Sequence, residues 1–418
     1  NDTPTSKTVT TSYNTYGLPS TVTVSGTPLS QSRTVTTTYS NDGTTESEDG
    51  YFPFRVINAL NHEIEQHTDP KYGAPIKHWD VNDLLTVTNY DDFGRVLNVT
   101  LPGEPTAHTQ RYWCGGSLWC PSVSEYRIRI LRAGTPTVLL YFDQFDRQLR
   151  KHTRNFADSD YIKEITQYNK RGLLAFQSVP FDQSQGDLST LGTRFDDNYD
   201  ALGRVKKKTV DGDNGQLITT YSYSGLTTFI TAGTLSMSRT YNGLGQLAQT
   251  VDAIGGVTKY AYDGAGNPIA LVDPNNSMIS AWYNALGHKW QVSDPNMGLK
   301  NFSYNAVGEV LTELDAEANF IEMHYDPLGR LYRRDVNGAT AGEWYFDNPD
   351  PNKGLGLLDF EDSRMQSDGT QLQKFYFYGN GSNGRKDLQQ VTHRFFENNS
   401  VVDYADYETQ YFTDTFYA

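Results

Sequence analysis

The amino-acid sequence predicts an all-β protein in which repeated β-hairpins form one continuous, spiralling antiparallel sheet. Three observations indicate this fold class. A short motif recurs at a fixed interval of 21 residues, which is the mark of a repeat architecture. Apolar and polar residues alternate around the motif with the period of a half-buried strand. Aromatic residues make up 13% of the 418 residues, with 28 Tyr and 20 Phe, and both types favour strands.

The motif reads Tyr, then Asn or Asp, then two variable residues, then Gly. Asn and Asp bond their own backbone in turns, and a position occupied only by Gly indicates a positive φ or a close backbone approach. We therefore predict that these tyrosines and glycines hold the repeat turns, and that Gly287→Val lowers stability sharply. The five regular copies are Tyr241-Asn-Gly-Leu-Gly245, Tyr262-Asp-Gly-Ala-Gly266, Tyr283-Asn-Ala-Leu-Gly287, Tyr304-Asn-Ala-Val-Gly308 and Tyr325-Asp-Pro-Leu-Gly329, and a degenerate sixth copy follows at Phe346-Asp347.

A second turn closes each repeat. Asp252, Asp273, Asp294 and Asp315 also lie 21 residues apart, and two of them precede Pro. Asp-Pro with nearby Asn and Gly is typical of turns. Each repeat is thus a strand, a Tyr turn, a strand and an Asp turn, and each hairpin is expected to pair with its neighbours because a lone hairpin is marginal in water. Residues needed in every copy are interpreted as structural, since a catalytic residue is needed once.

The motif recurs less regularly over the rest of the chain. Copies begin at Tyr13, Tyr90, Tyr168 and Tyr199, and the copy that starts at Phe142 carries Asp146 where Gly belongs. No sharp boundary interrupts the pattern, so residues 1–418 are predicted to form a single continuous repeat sheet. Its subdivisions are irregular repeats at 1–110, repeats with a cysteine loop and insertions at 111–238, regular repeats at 239–347, and irregular, truncated repeats at 348–418.

Composition and charge disfavour several classes of function. The formal net charge is −15 and the isoelectric point about 4.9, which argues against nucleic-acid binding and adsorption to anionic membranes. No apolar run approaches 18 residues, so no transmembrane helix is predicted. The sequence opens at Asn1 without a signal peptide and stops in a strand-like segment, Tyr411–Ala418, so we expect the native polypeptide to continue on both sides.

Two cysteines, Cys114 and Cys120, are separated by five residues, two of which are Gly. This spacing permits a small disulfide loop, which would indicate export. Two free thiols are the alternative. A zinc site is disfavoured, because two thiols and the single nearby His108 do not complete a tetrahedral shell.

No catalytic, cofactor-binding or metal-binding residues are assigned from the sequence, and no enzyme activity is expected. The stretch from His62 to His67 lacks the i, i+4 histidine spacing of helical zinc proteases. Gly-x-Ser-x-Gly does not occur, and no predicted helix follows the glycine pairs at 264–266 and 354–356. Asp273, Asn275 and Asn276 could bind calcium at a turn, but the neighbouring repeats lack the same ligands.

The phrases Tyr90-Asp-Asp-Phe-Gly-Arg95, Tyr199-Asp-Ala-Leu-Gly-Arg204 and Tyr325-Asp-Pro-Leu-Gly-Arg330 resemble the YD repeat of the RHS family, and the resemblance runs from about Tyr13 onward. The segment from Trp113 to Pro121 resembles a recurrent piece of bacterial RHS proteins. The family includes the B and C components of insecticidal toxin complexes, RHS effectors of bacterial secretion systems and the teneurins of animals.

The resemblance implies that the sheet is part of a hollow shell that encloses a C-terminal toxic domain until delivery. In the family, a core segment with an aspartyl self-cleavage site closes the shell, and this sequence stops before any such segment. The expected function is therefore encapsulation within a secreted bacterial toxin. The expected partners are the enclosed toxin domain, the remaining shell of the same polypeptide and other toxin-complex subunits, and no cofactor is expected.

Two alternatives stay open. An extracellular, teneurin-like scaffold would bind a glycan or a protein through insertions such as 181–197 and 379–386. A carbohydrate-active enzyme on a β scaffold is the third interpretation, because carboxylates are abundant along the chain.

Overall fold

The described residues of the computed structural model form an all-β protein, as predicted. They contain strands, turns and bends, and no helix among them has the length and apolarity needed to cross a membrane. The structure describes residues 6–29, 31–47, 49–115, 120–121, 123–155, 160–182, 190–212, 215–348, 354–364, 370–378, 388–397, 400–403 and 409–410.

The chain forms two compact units. The first comprises residues 1–106 and 281–418, and the second comprises residues 107–280. These limits do not coincide with the subdivisions expected at 110, 238 and 347, and the single continuous repeat sheet over residues 1–418 stays a prediction.

The strands follow one another along the described residues, and most connections between them are short. Residues 1–106 contain β1 (Ser6–Tyr13), β2 (Pro19–Thr27), β3 (Arg33–Ser40), β4 (Glu46–Ser47), β5 (Phe52–Ile57), β6 (Glu63–Asp69), β7 (Ala74–Trp79), β8 (Leu85–Tyr90) and β9 (Val96–Thr100). The second unit contains β10 (Ala107–Trp113), β11 (Tyr126–Arg132), β12 (Thr135–Phe142), β13 (Gln148–Arg154), β14 (Tyr161–Tyr168), β15 (Leu174–Ser178), β16 (Phe181–Asp182), β17 (Gly192–Arg194), β18 (Lys207–Gly212), β19 (Gly215–Ser224), β20 (Thr227–Ala232), β21 (Leu235–Tyr241), β22 (Leu247–Val251), β23 (Val257–Tyr262), β24 (Pro268–Val272) and the start of β25 (Met278–Tyr283).

The second part of the first unit contains β26 (Lys289–Asp294), β27 (Gly298–Tyr304), β28 (Val310–Leu314), β29 (Phe320–Tyr325), β30 (Leu331–Val336), β31 (Ala339–Asn348), β32 (Gly354–Arg364), β33 (Thr370–Tyr378), β34 (Leu388–Glu397), β35 (Ser400–Asp403) and β36 (Thr409–Gln410).

Successive strands pair antiparallel, and the pairing has the same irregularity in many repeats. Where a strand reaches the Tyr of the motif, the register shifts by one residue, so that Ala261 pairs with Ala270 but Tyr262 pairs with Pro268. The same shift occurs at Tyr241 and Tyr304. A β-bulge of this kind increases the local twist of the two strands. The repeat therefore specifies a twisted hairpin as well as a turn.

Few side chains are fully buried in this sheet. The described residues of the second unit include one small buried cluster, formed by Ile165, Phe176 and Phe181. Most strand positions are only partly shielded from solvent. Because the apolar area removed from water is modest at each position, hydrogen bonds between neighbouring hairpins carry much of the specification of the fold.

Candidate functional site

The repeat turn is a compact network built on the residue after the Tyr. In the first regular copy, the side-chain Oδ1 of Asn242 accepts hydrogen bonds from the backbone N–H groups of Leu244 and Gln246, each at 3.0 Å. The backbone N–H of Gly245 donates to the carbonyl of Asn242 at 3.0 Å, and the N–H of Asn242 donates to the carbonyl of Gln246 at 2.8 Å. The side chain of Asn or Asp thus satisfies amides that the strands leave unpaired.

The Gly of the motif lies in the left-handed region in all five regular copies. The φ angles are 78° at Gly245, 92° at Gly266, 79° at Gly287, 92° at Gly308 and 84° at Gly329. An L-residue adopts this conformation only at a cost, and Asn and Asp tolerate it better than other types. The degenerate copy that starts at Phe142 agrees with this preference, because Asp146 occupies the position of the Gly with a φ of 64°.

In eight of the described repeats, the Tyr of the motif ties its hairpin to the one before it. The hydroxyl of Tyr262 donates to the carbonyl of Leu247 at 2.9 Å, and that of Tyr304 donates to the carbonyl of Lys289 at 2.6 Å. Both acceptors are the second residue after the left-handed residue of the preceding turn. The same bond joins Tyr39 to Pro19, Tyr90 to Pro75, Tyr168 to Gln148, Tyr199 to Leu174, Tyr223 to Val205 and Tyr378 to Leu358.

This bond persists while the length of the repeat changes. The tyrosine and its acceptor are 15 residues apart at Tyr90 and 25 residues apart at Tyr199. The hydrogen bond, and not the interval of 21 residues, is therefore the property common to regular and irregular repeats. Burial raises the pKa of Tyr90, Tyr199 and Tyr304 above the usual value, so that each hydroxyl stays protonated and able to donate.

Tyr325 departs from the rule. Its hydroxyl lies 3.5 Å from the Sδ atom of Met323, although the second residue after Gly308 is Val310. A thioether sulfur is a weak acceptor. Tyr325 therefore keeps its place in the turn, but its hydroxyl has a weaker acceptor than the hydroxyls of those eight tyrosines.

The residue after the Gly extends the turn network toward the next repeat. In the copies that end in Arg, the guanidinium closes on the Asp of its own turn: Arg330 Nε donates to Asp326 Oδ2 at 2.7 Å. Arg204 also lies over the ring of Tyr223, with its Cζ atom 4.0 Å from the ring centroid, a cation–π contact that couples successive repeats. The hydrogen bond from Arg95 lowers the pKa of Asp91 to about 2.

The second turn of each repeat uses the same chemistry. Asp273 Oδ1 accepts from the backbone N–H groups of Asn275 at 2.8 Å and Ser277 at 2.7 Å. Asp252 and Asp315 bond their turns in the same way. Asp273 Oδ1 is thus bonded to amides of its own turn. The described part of the chain holds no cluster of three or more His, Cys, Asp or Glu suited to a metal ion.

The remaining sequence candidates lie apart from one another. Cys114 and Cys120 are joined by a disulfide, with their Cα atoms 5.7 Å apart. His62 lies in the turn before β6 and His67 within β6, so the two histidines do not share a helix face. Residues 183–189 of the predicted insertion at 181–197 and residues 116–119 of the cysteine loop lie outside the described residues. The predicted segments 379–386 and 411–418 lie wholly outside them.

One site was not predicted from the sequence: a seam inside the first unit. The seam consists of contacts that Gly26, Arg33, His62 and Asn82 make with turns between residues 305 and 356. The two terminal N–H groups of Arg33 donate to the two carboxylate oxygens of Glu309, each at 2.7 Å. These two residues are 276 positions apart in the sequence.

The seam is closely fitted as well as charged. Asn82 receives a hydrogen bond from the N–H of Leu355 at 2.7 Å and donates to the carbonyl of the same residue at 3.1 Å. A Cβ atom on Gly26 would lie 2.6 Å from the Cβ of Ala306, so only Gly permits this approach. The early strands and the later repeat turns of the first unit are therefore held together by side chains that have no repeated counterpart in sequence.

Comparison with known proteins agrees with this geometry. A family model described as RHS Repeat matches residues 241–278, which confirms the resemblance to RHS/YD repeats. No curated protein matches the chain. A chain in the crystal structure of TcdB2-TccC3 matches with a TM-score of 0.67 and 13% identity, over 92% of this chain and 25% of that chain. A chain in the crystal structure of TcdB2-TccC3-Cdc42 matches with a TM-score of 0.66 and 12% identity, over 94% of this chain and 27% of that chain.

These matches show the fold and confirm the predicted fold class, and the family model adds a likeness to RHS repeats over residues 241–278. At this level of identity the likeness concerns the fold. The chain spans about a quarter of the length of the chains that it matches.

Proposed function

We propose that this chain is a segment of the encapsulating shell of a secreted bacterial toxin. The observation that carries the proposal is the match of 92% of the chain to one quarter of a TcdB2-TccC3 chain. The mechanism is containment: the sheet encloses a cargo that is not part of this sequence and keeps it from its target until delivery. No reactive side chain is required for this role.

The repeat network suits such a role. The bond from Tyr262 to the carbonyl of Leu247, and its counterparts, join each hairpin to the previous one. Strand edges that pair with neighbours are not free to pair with other chains. The seam adds contacts between distant parts of the first unit, including the bidentate bond between Arg33 and Glu309. A sheet whose hairpins are joined in this way resists the local separation of neighbouring hairpins.

The proposed partners are the remaining shell, the enclosed toxic domain and other toxin-complex subunits. The proposed location is extracellular. The disulfide between Cys114 and Cys120 supports this location, because structural disulfides persist mainly in oxidising compartments.

The experiment is to isolate the native polypeptide that contains these 418 residues, to measure its intact mass and to sequence the peptides on both sides of this stretch. The proposal predicts further repeats followed by an unrelated domain. A polypeptide that consists of this stretch alone would have nothing to enclose, and the glycan- or protein-binding scaffold would then be the better account.

A further inference from the structure

The second unit contains a sheet face on which basic side chains collect. Directly opposite residues of neighbouring antiparallel strands point to the same side of a sheet. The register therefore carries one row of side chains across β11, β12 and β13, from Arg127 through Tyr141 to Arg150. Extended to β14, the same register places six basic residues on one side of the sheet, which we call the cationic face: Arg127, Arg129, Arg150, His152, Arg154 and Lys163.

The strands β10 to β14 place no carboxylate on this face. Their sequences contain one acidic residue, Glu164 of β14. Glu164 lies directly opposite Lys151, on the other side of the sheet, and accepts a hydrogen bond from Lys151 Nζ at 2.8 Å. Since the whole chain has a formal net charge of −15, the cationic face is a local exception to the charge of the protein.

Two guanidinium groups of the cationic face lack a counter-charge. Within the described part of the chain, neither Arg129 nor Arg150 forms an ion pair or a side-chain hydrogen bond. Arg129 is exposed, whereas Arg150 is half-buried, and burial lowers the pKa of Arg150. A charge that is taken out of water without a partner is costly. By contrast, the turn arginines Arg147, Arg204 and Arg330 each pair with the Asp of their own turn.

The imidazole of His152 senses the positive potential of this face. Burial, and then the charges of Lys163 and Arg150, lower the pKa of His152 to about 4, while the carboxylate of Asp160 acts weakly in the opposite direction. The rings of Tyr141 and Tyr161 flank the imidazole, with centroids 4.9 Å and 6.0 Å away. His152 is therefore neutral at neutral pH, and the cations around it remain uncompensated.

The dimensions of the cationic face indicate which anion it suits. The four strands β11 to β14 span about 14 Å, at about 4.8 Å between neighbours, so a ligand with several charges is needed to reach across them. Arginine binds carboxylates through two parallel hydrogen bonds, as Arg33 does with Glu309 in this chain. A long, stiff polyanion would extend beyond the face onto the acidic remainder of the protein and be repelled there. A short polypeptide segment with several carboxylates meets both conditions.

We propose that the cationic face of β11 to β14 binds an acidic peptide segment, whose carboxylates pair with Arg129 and Arg150. The ring of Tyr112 adds an aromatic surface at the margin of the site, because it is 40% exposed and lies under Arg127, whose Cζ atom is 5.1 Å from the ring centroid. The proposal does not depend on the shell function, because the whole site lies within the second unit.

The test is fluorescence anisotropy with the full chain and a rhodamine-labelled peptide of alternating Ser and Glu. In an extended peptide, alternate side chains lie on one side, about 7 Å apart. We expect a dissociation constant on the order of 100 μM or lower at low salt, and weaker binding as the salt concentration rises. Arg129→Gln and Arg150→Gln should each weaken binding about fivefold or more. Arg239→Gln is the matched control, because Arg239 is an exposed strand residue of β21 in the same unit and its loss changes the net charge equally.

Thermal unfolding separates a loss of the site from a loss of the fold. Because Arg150→Gln removes a half-buried charge without a partner, the variant should melt no lower than the unchanged chain in the absence of peptide. The bound peptide should also raise the pKa of His152 above its value of about 4, since carboxylates offset the charges of Arg150 and Lys163. A titration of the imidazole by NMR, with and without peptide, measures this shift.

Several results would overturn the proposal. A peptide of alternating Ser and Gln binds as well as the acidic one, or Arg150→Gln binds the acidic peptide as tightly as the unchanged chain. An oligothymidylate of the same length binds more tightly than the peptide, or inorganic phosphate displaces the peptide at equal concentration. A lower melting temperature of Arg150→Gln would show that the guanidinium already has a stabilising partner. Failure of this test would leave the shell proposal unaffected, because the mass measurement described above decides that question.

Discussion

A substitution at a single repeat glycine tests the turn most sharply, and Gly245→Ala is the best place to make it. Gly245 has a φ of 78°, and a Cβ atom added there would meet nothing within 4 Å. The substitution therefore creates no steric clash with the rest of the chain. Its cost is the strain of placing an L-residue in the left-handed region, about 1–2 kcal/mol.

Gly243 provides a matched control in the same turn. A Cβ atom there would also meet nothing within 4 Å, but Gly243 does not have a positive φ. Both substitutions reduce the freedom of the unfolded chain to the same extent, a stabilising effect of about 0.4–1 kcal/mol. This effect cancels when the two variants are compared. Gly245→Ala should therefore be less stable than Gly243→Ala by about 1–2 kcal/mol.

The assay is urea unfolding of the two variants, with comparison of the midpoints at a common slope. For a cooperative unit of about 150–250 residues, the same difference corresponds to a shift of about 2–8 °C in the melting temperature. Equal stability of the two variants would show that the left-handed conformation at Gly245 is not required, and the interpretation of the repeat would fail.

Three further predictions concern the contacts between repeats. Tyr262→Phe should destabilise the fold by about 0.5–1.5 kcal/mol. Tyr325→Phe should destabilise it by less, because the partner of its hydroxyl among the described residues is a thioether; thermal unfolding compares the two. A double-mutant cycle of Arg33→Ala and Glu309→Ala should give a coupling energy above about 1 kcal/mol, since the bidentate pair is largely shielded from solvent. Additive effects of the two substitutions would show that this contact does not stabilise the seam. Burial lowers the pKa of His152 from 6.5 to about 4. Because the imidazole is protonated at a higher pH in the unfolded chain than in the folded one, the stability should fall as the pH drops from about 6.5 to about 4. His152→Phe should remove this part of the pH dependence, and identical profiles of stability against pH for the variant and the unchanged chain would contradict the prediction.

The sequence was sufficient for the features that repeat. The spacing of Tyr241 and its successors, with Gly four residues later, predicted both the strands and the left-handed turns. The prediction succeeded because the chemistry of a turn is local: Asn242 accepts the N–H of Gly245 and exchanges hydrogen bonds with Gln246, all within five residues. The loss of Gly at Asp146 did not disrupt the pattern, because Asp tolerates the same conformation.

The sequence was insufficient for contacts that occur once. Nothing around Arg33 indicates that it bonds to Glu309, because the pair depends on how strands 276 residues apart come together. The acceptor of each tyrosine hydroxyl was also missed, although a signal was present. The acceptor is the second residue after the left-handed residue of the preceding turn in regular and irregular repeats, as at Leu247 and Val205.

Limited proteolysis of the native polypeptide tests the proposed containment most directly. The proposal predicts that the polypeptide carries a further domain after these repeats, and that this domain stays intact in the native protein under conditions that digest the same domain expressed alone. Cleavage of that domain at equal rates in the two settings would show that the sheet does not enclose it, and would contradict the account.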